Sequence, residues 1–291
     1  MDLIKSIIMG VVQGIAEFLP ISSDGHLAIM KQVLHIDTDN GLLFDILLHF
    51  GTLIAIFIVY LKDIWELIVE GVQLIGDCFV NLGKFLRNTV SRKQLPYKKV
   101  ISTPYRKFVM LVIVSTIPTG FIGVIFEDVV EFTGRTLLVP GLCLILTGLL
   151  LMIADRVKEG NKVEETTGYQ EAGLIGIAQG LATLPGLSRS GSTITTALLL
   201  GLDREFAVKY SFIMSIPAVL GAVVFELRDF SMDMVSQTDL FNYLVGTIVA
   251  AAVGYFSIKT MLVLVRGKKF KYFSYYCITI GMIAFLCYFV L

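Results

Sequence analysis

Six apolar runs, at residues 42–61, 108–126, 137–154, 206–226, 240–265 and 273–291, decide what this chain can fold into. A helix that crosses a bilayer needs about 20 predominantly apolar residues. Within lipid every backbone N–H and C=O must be satisfied inside the segment itself, and a helix does that. The runs therefore predict an all-α polytopic membrane protein with six transmembrane helices. Composition agrees, since 55% of the residues are hydrophobic and 16% are charged, where soluble domains carry about 25% charged residues. The formal net charge is zero, which gives no global pull towards nucleic acid. We read residues 1–291 as a single membrane domain.

Two further segments, 6–34 and 172–200, are apolar at both ends but broken in the middle by Pro, Gly and Ser. Each is too short for two crossings and too polar in its centre for one. A re-entrant helical hairpin fits, because irregular backbone at membrane depth is tolerated where protein or a water-filled cavity surrounds it. Residues 64–86 carry Glu66, Glu70, Asp77 and Lys84 among apolar positions and read as an amphipathic helix on the membrane surface. They belong to an insert at about 63–105. Putting the basic clusters at 62–107, 156–162, 204–209 and 266–271 on one side gathers 18 of the 24 lysines and arginines there. The other side keeps Lys5, Lys31, Arg135 and Arg228. The rich side is then cytoplasmic and both termini lie outside. No cleavage site follows the first apolar run, so we expect the N-terminus to be retained.

Sliding the chain on itself by 166 residues places Gln13-Gly14 on Gln179-Gly180, Ala16 on Ala182, Ser22 on Ser188 and Gly25 on Gly191. The halves, about 1–155 and 170–291, each hold one hairpin and three crossings. An odd number of crossings inverts the second half, as in the inverted repeats of many transporters. The first hairpin then enters from outside and the second from the cytoplasm. In this alignment Ser23 falls on Arg189, which could bring the two tips together.

Polar groups at membrane depth are expensive and mark functional sites by default. Gln13 and Glu17 are four residues apart and share a helix face. Glu17 suits a general base or a ligand for a divalent cation, and a carboxylate merely bonded to the turn is the plainer alternative. Beyond Pro20 come Ser22, Ser23, Asp24 and His26. A serine needs a base to become a nucleophile, and histidine is the usual one. We favour Ser23 or His26 in chemistry and Asp24 as a helix cap or hydrogen-bond partner. His35 suits a loop and His49 helix packing. The second tip offers Ser188, Arg189, Ser190, Ser192 and Thr193 ahead of a helix expected from Ile194, and backbone N–H groups at a helix start bind anions while Arg adds a planar fork for phosphate. A salt bridge from Arg189 to Glu17 is the plainer alternative and is compatible with phosphate binding. Together the tips suit phosphoryl transfer to water. Cys78, Cys143, Cys277 and Cys287 lack metal-ligand spacing and read as reduced packing residues.

The stretch QGIAEFLPISSDGH resembles the signature of the undecaprenyl-diphosphate phosphatase family linked to bacitracin resistance, and LPGLSRSGSTIT resembles that family's second motif. The resemblance implies hydrolysis of a polyprenyl diphosphate lipid to its monophosphate, recycling the carrier for peptidoglycan and other envelope polymers. It implies a site on the outer side of the bacterial cell membrane and dependence on a divalent cation, Mg2+ or Ca2+, held by Glu17 or by the diphosphate alone. By position it makes Glu17, Ser23, His26 and Arg189 catalytic, with Gln13, Ser22, Ser188, Ser190 and Thr193 lining the pocket. Asp24 stands where the family more often has Thr. The oligomeric state stays open, a homodimer being one option. A secondary transporter or lipid flippase on the same scaffold is the main rival, distinguished by flux without phosphate release. An intramembrane serine hydrolase would leave Arg189 unexplained.

Overall fold

The computed structural model describes residues 2–36, 42–91, 94–134, 136–226 and 237–290. They form α1 (Leu3–Ala16), α2 (Ser23–Val33), α3 (Leu42–Val59), α4 (Leu61–Ser91), α5 (Pro104–Ile125), α6 (Glu127–Gly134), α7 (Leu138–Arg156), α8 (Tyr169–Leu181), α9 (Arg189–Leu199), α10 (Arg204–Glu226), α11 (Gln237–Arg266) and α12 (Phe270–Val290). Helices α5, α7, α10, α11 and α12 are long and apolar enough to cross a membrane. Helix α3 makes a sixth span when taken with α4, from which it is bent by 88°. Large apolar side chains such as Phe57, Phe121, Ile248 and Phe256 point outward along these helices, which only lipid makes favourable. The chain is an all-helical, multi-pass membrane protein.

The expected spans fall on α3, α5, α7, α10, α11 and α12 with ends displaced by a few residues, and Leu291 lies outside the described residues. The amphipathic segment is longer than expected, running 31 residues as α4. Its polar face is covered by its own return segment. Asn81 donates to the Lys98 carbonyl and Asn88 to that of Leu95, Lys98 pairs with Asp77, and Arg106 reaches Glu70 and Asp77 at 2.7 and 2.8 Å. Trp65, Ile68, Val72, Ile75 and Phe79 stay exposed on the opposite face. Helix α6 lies between two expected spans and was not expected.

One end of the bundle collects the cationic segments. Arg204 donates to the carbonyls of Val265 and Val157, which ties the start of α10 to the ends of α11 and α7. Asp155 accepts from the N–H groups of Phe270 and Lys271 at the start of α12. Lys209 pairs with Asp63 at 3.1 Å, and Lys107 lies over the Tyr169 ring. Arg135 and Arg228, expected at the other end, lie outside the described residues.

Small residues let the short helices into the bundle. A Cβ on Gly10 of α1 would sit 2.4 Å from the Gly246 carbonyl oxygen of α11, and one on Gly14 2.8 Å from that of Ala250. On α8, a Cβ on Gly176 would sit 2.1 Å from the Ser115 carbonyl oxygen of α5, and one on Gly180 2.7 Å from Ile122 Cβ. Both are small-xxx-small contacts that bring helix backbones together without a hydrophobic drive from water. The paired numbers rise together in each case, so α1 runs parallel to α11 and α8 parallel to α5. Helix α8 starts at the cationic end and α1 at the opposite one. At about 1.5 Å per residue, the 14 residues of α1 and 13 of α8 stop short of a hydrocarbon core about 30 Å thick. Their ends stay inside the protein.

Candidate active site at two buried tips

The first tip begins where α1 ends at Glu17. Phe18 is 1% exposed and packs edge-on against Phe212 of α10, and Pro20 is buried. Ser22 has φ 72 and ψ 102, a conformation that side-chain-bearing residues rarely adopt. Such backbone strain is held only where the surroundings over-determine it. The expected side-chain cap on α2 is not formed: Ser22 occupies the capping position without a side-chain bond, and Asp24 lies in the first turn with its side chain largely exposed. The strain turns the Ser22 carbonyl to take both the backbone N–H of His26 at 3.3 Å and its Nδ1 at 2.8 Å. Ser23, half-buried, opens α2 three residues before His26, so the two share a helix face.

The second tip turns at Gly186, whose φ of +88 requires glycine. A Cβ there would also lie 2.3 Å from the Pro140 carbonyl oxygen. Thr147 of α7 clamps the turn by donating to the Gly186 carbonyl and accepting from the Ser188 N–H at 2.9 Å. Ser188 caps α9, accepting from Gly191 N–H at 3.1 Å, and the helix starts at Arg189 rather than at the expected Ile194. The N–H groups of Arg189 and Ser190 belong to the first turn, where no carbonyl of the helix reaches. Thr193 is fully buried; its hydroxyl donates to the Arg189 carbonyl at 2.8 Å and meets Ser211 of α10.

The tips touch. A Cβ on Gly25 would lie 3.7 Å from Gly186 Cα, and one on Gly191 3.3 Å from Pro20 Cβ. Shifting by 166 turns 25 into 191 and 20 into 186, so each contact is the other with the tips exchanged. Arg189 forms an ion pair with Glu17 across the junction; the Glu17 side chain is 5% exposed and that of Arg189 27%. The cation thus meets Glu17, the plainer of the two pairings considered. A cleft of about 210 Å3, including its open mouth, is lined by Glu17, Phe18, Arg189, Ser190, Ser211, Phe212 and Ser215.

Gln13 is fully buried and donates from Nε2 to Glu17 Oε2 at 3.1 Å, as the shared helix face predicts. The same nitrogen lies 3.0 Å from His49 Nδ1. His49 therefore belongs to the site, contrary to the packing role expected from its apolar run. Its Nδ1 is 3.8 Å from Glu17 and its Nε2 4.0 Å from Asp24 Oδ1, so one ring on α3 bridges both arms of the first hairpin. Lys31 and Asp45 pair across the same two elements. His35 lies in the turn after α2, as expected. Ser211 and Ser215 of α10 were also missed. Their only signal is that, shifted back by 166, they fall on Asp45 and His49.

Residues 6–283 match the family described as Bacitracin resistance protein BacA. The chain belongs to the BacA family. A protein of Methanosphaera stadtmanae named undecaprenyl-diphosphatase is 40% identical over 286 residues, covering 98% of each chain. One of the same name from Alkaliphilus metalliredigens is 39% identical over 286 residues with the same coverage. A third, from Desulforapulum autotrophicum, is 35% identical over 291 residues and covers all of both chains. The BacA match contains both tips and every site residue from Gln13 to Ser215.

Proposed function

We propose that this chain is an undecaprenyl-diphosphate phosphatase that releases inorganic phosphate and leaves the monophosphate lipid. The observation that carries the reading is the ion pair of Arg189 and Glu17 at the junction of two buried tips. It puts a fixed guanidinium and a helix start beside a carboxylate in a cleft within the membrane protein. A diphosphate entering the cleft takes Arg189 and the first-turn N–H groups of α9, which neutralise the charge on its phosphate oxygens. Ser188 and Ser190 add hydroxyls beside them. Glu17, released from its partner, is then available to a water or hydroxyl. Ser23 and His26 on one face of α2 supply a hydroxyl and an imidazole, and Gln13 and Ser22 hold the wall behind them.

The donor set also suits the expected Mg2+ or Ca2+. Gln13 Oε1 is buried without a hydrogen-bond partner, next to Glu17. Among the described residues no three His, Cys, Asp or Glu side chains converge as a metal cage. Mg2+ is commonly held by one or two carboxylates together with substrate phosphates. Glu17 and Gln13 Oε1 would hold a cation brought in with the diphosphate, where it would offset phosphate charge.

The opposite entry of α1 and α8 and the exchangeable tip contacts support an inverted repeat of two re-entrant hairpins and six crossings. The cationic end supports a cytoplasmic face at α4, and hence a first hairpin and a substrate path open to the outside. Recycling of the carrier lipid and bacitracin resistance follow from that activity. Detergent-purified protein should release phosphate from undecaprenyl diphosphate, with losses of on the order of 100-fold in Glu17→Gln and in Arg189→Ala. A wild type that releases none refutes the reading. A cysteine at Lys98, in a background without the four native cysteines, should label only from the cytoplasmic side. Labelling from outside refutes the orientation.

A further inference from the structure

Tyr276 lies 250 positions from His26 in sequence and meets it in the fold. Its hydroxyl is 2.7 Å from His26 Nε2, and the rings stack at 5.6 Å with an interplanar angle of 18°. The other ring nitrogen, Nδ1, is 2.8 Å from the Ser22 carbonyl. A carbonyl only accepts, so Nδ1 carries the proton. Nε2 of the neutral ring is then an acceptor, and the Tyr276 hydroxyl donates to it. Both nitrogens are used, and the tautomer is set from two sides.

Each partner is itself fixed. The Ser22 carbonyl is aimed by the strained backbone at φ 72. Around Tyr276, helix α12 is held by Ser274, which donates to the Gly148 carbonyl at 2.6 Å, and by Cys277, whose thiol meets the Pro20 carbonyl at 3.6 Å. Gly141 and Gly281 bring α7 and α12 into backbone contact. Tyr276 thus stands on an anchored stretch of its helix, next to the first tip.

We propose that Tyr276 is a positioning residue of the phosphatase site, keeping the basic nitrogen of His26 at Nε2 and the ring in one orientation. The inference rests on the reading above in which His26 serves phosphoryl transfer. The nucleophile's hydroxyl replaces the Tyr276 hydroxyl at Nε2 and gives its proton there, and the phenol makes no bond to phosphorus. An aromatic ring alone keeps the stack; the hydroxyl adds the second of the two hydrogen bonds that hold the tautomer.

The test is a double-mutant cycle of Tyr276→Phe and His26→Gln, reading phosphate release from undecaprenyl diphosphate. Tyr276→Phe should lower kcat about tenfold with KM within about twofold, the size of loss usual when a histidine's outer partner is removed. In the His26→Gln background it should change nothing further. Tyr276→Phe with wild-type kcat, or with the same loss in both backgrounds, overturns the proposal. An active wild type with an equally active His26→Gln overturns it too, while leaving the phosphatase reading intact. A wild type without phosphate release removes both. The chain has three histidines, so nitrogen NMR of ring-labelled protein reads the tautomer apart from activity. His26 should carry its proton on Nδ1 in the wild type and become a mixture in Tyr276→Phe. A wild-type ring protonated on Nε2 overturns the assignment.

Discussion

Replacing Gly186 by alanine should dislodge the second tip. The position has φ +88, where a side-chain-bearing residue costs roughly 1–2 kcal/mol. The added methyl would also start 2.3 Å from the Pro140 carbonyl oxygen and 2.7 Å from Pro140 Cα, both backbone atoms. Ordinary contact begins at 3.4 Å, so the tip and the start of α7 must separate by about 1 Å, and overpacking of that kind costs about 1–3 kcal/mol. The total is about 2–5 kcal/mol. The displacement passes directly to Ser188 and Arg189, because Thr147 holds Gly186 and Ser188 together. A misplacement of about 1 Å at a reacting group lowers turnover on the order of 100-fold. Phosphate release and thermal unfolding of the purified variant measure both effects. Gly173→Ala on α8 is the control, since nothing lies within 4 Å of a Cβ there. Its stability should change by less than about 1 kcal/mol. A Gly186→Ala protein with wild-type turnover and unfolding temperature would refute the pinned tip.

Arg189→Ala leaves Glu17 buried without its cation, which should cost about 3 kcal/mol in denaturant unfolding. Adding Glu17→Gln should recover most of that stability but no activity, and a double variant no more stable than the single one rejects the pair. His49→Ala removes the brace between the hairpin arms and should lower kcat about tenfold, whereas His49→Gln, which keeps an acceptor for Gln13, should retain most of it; equal losses would reject the brace. The return segment over α4 should respond to acid. The hydrogen bond from Lys98, then that from Arg106, holds the Asp77 carboxyl below its ordinary 3.8. A depressed carboxylate contributes fully above its unfolded value and is lost as pH falls through the folded one. A spin label at Tyr97 should therefore gain mobility only below pH 3.8, and a transition near neutrality would mean that another group holds the segment.

The crossings were legible because length and apolar content are local properties, and so was the pairing of Gln13 with Glu17, which are spaced along a single helix. The bend after Val59 was foreshadowed by the charges at Lys62 and Asp63. His49 was not, since it sits in the run LLHFGTLIAI, where a histidine looks like any packed side chain. Ser211, Ser215 and Tyr276 reach the tips from α10 and α12, and helix packing rather than a motif brings them there. The cap expected of Asp24 is missing because α2 starts at Ser23, which puts Asp24 inside the first turn rather than before it. The exchangeable contacts of Gly25 with Gly186 and of Gly191 with Pro20 were implicit in the 166-residue shift, yet only the folded chain puts them at one junction.

Hydrolysis at the joined tips is the central claim, and phosphorus NMR of undecaprenyl diphosphate in liposomes carrying the protein tests it most directly. The account predicts that the diphosphate signals give way to lipid monophosphate and inorganic phosphate in equal amounts, and that Glu17→Gln and Arg189→Ala slow the change on the order of 100-fold. Diphosphate that crosses the bilayer but stays intact would contradict it and make the chain a transporter.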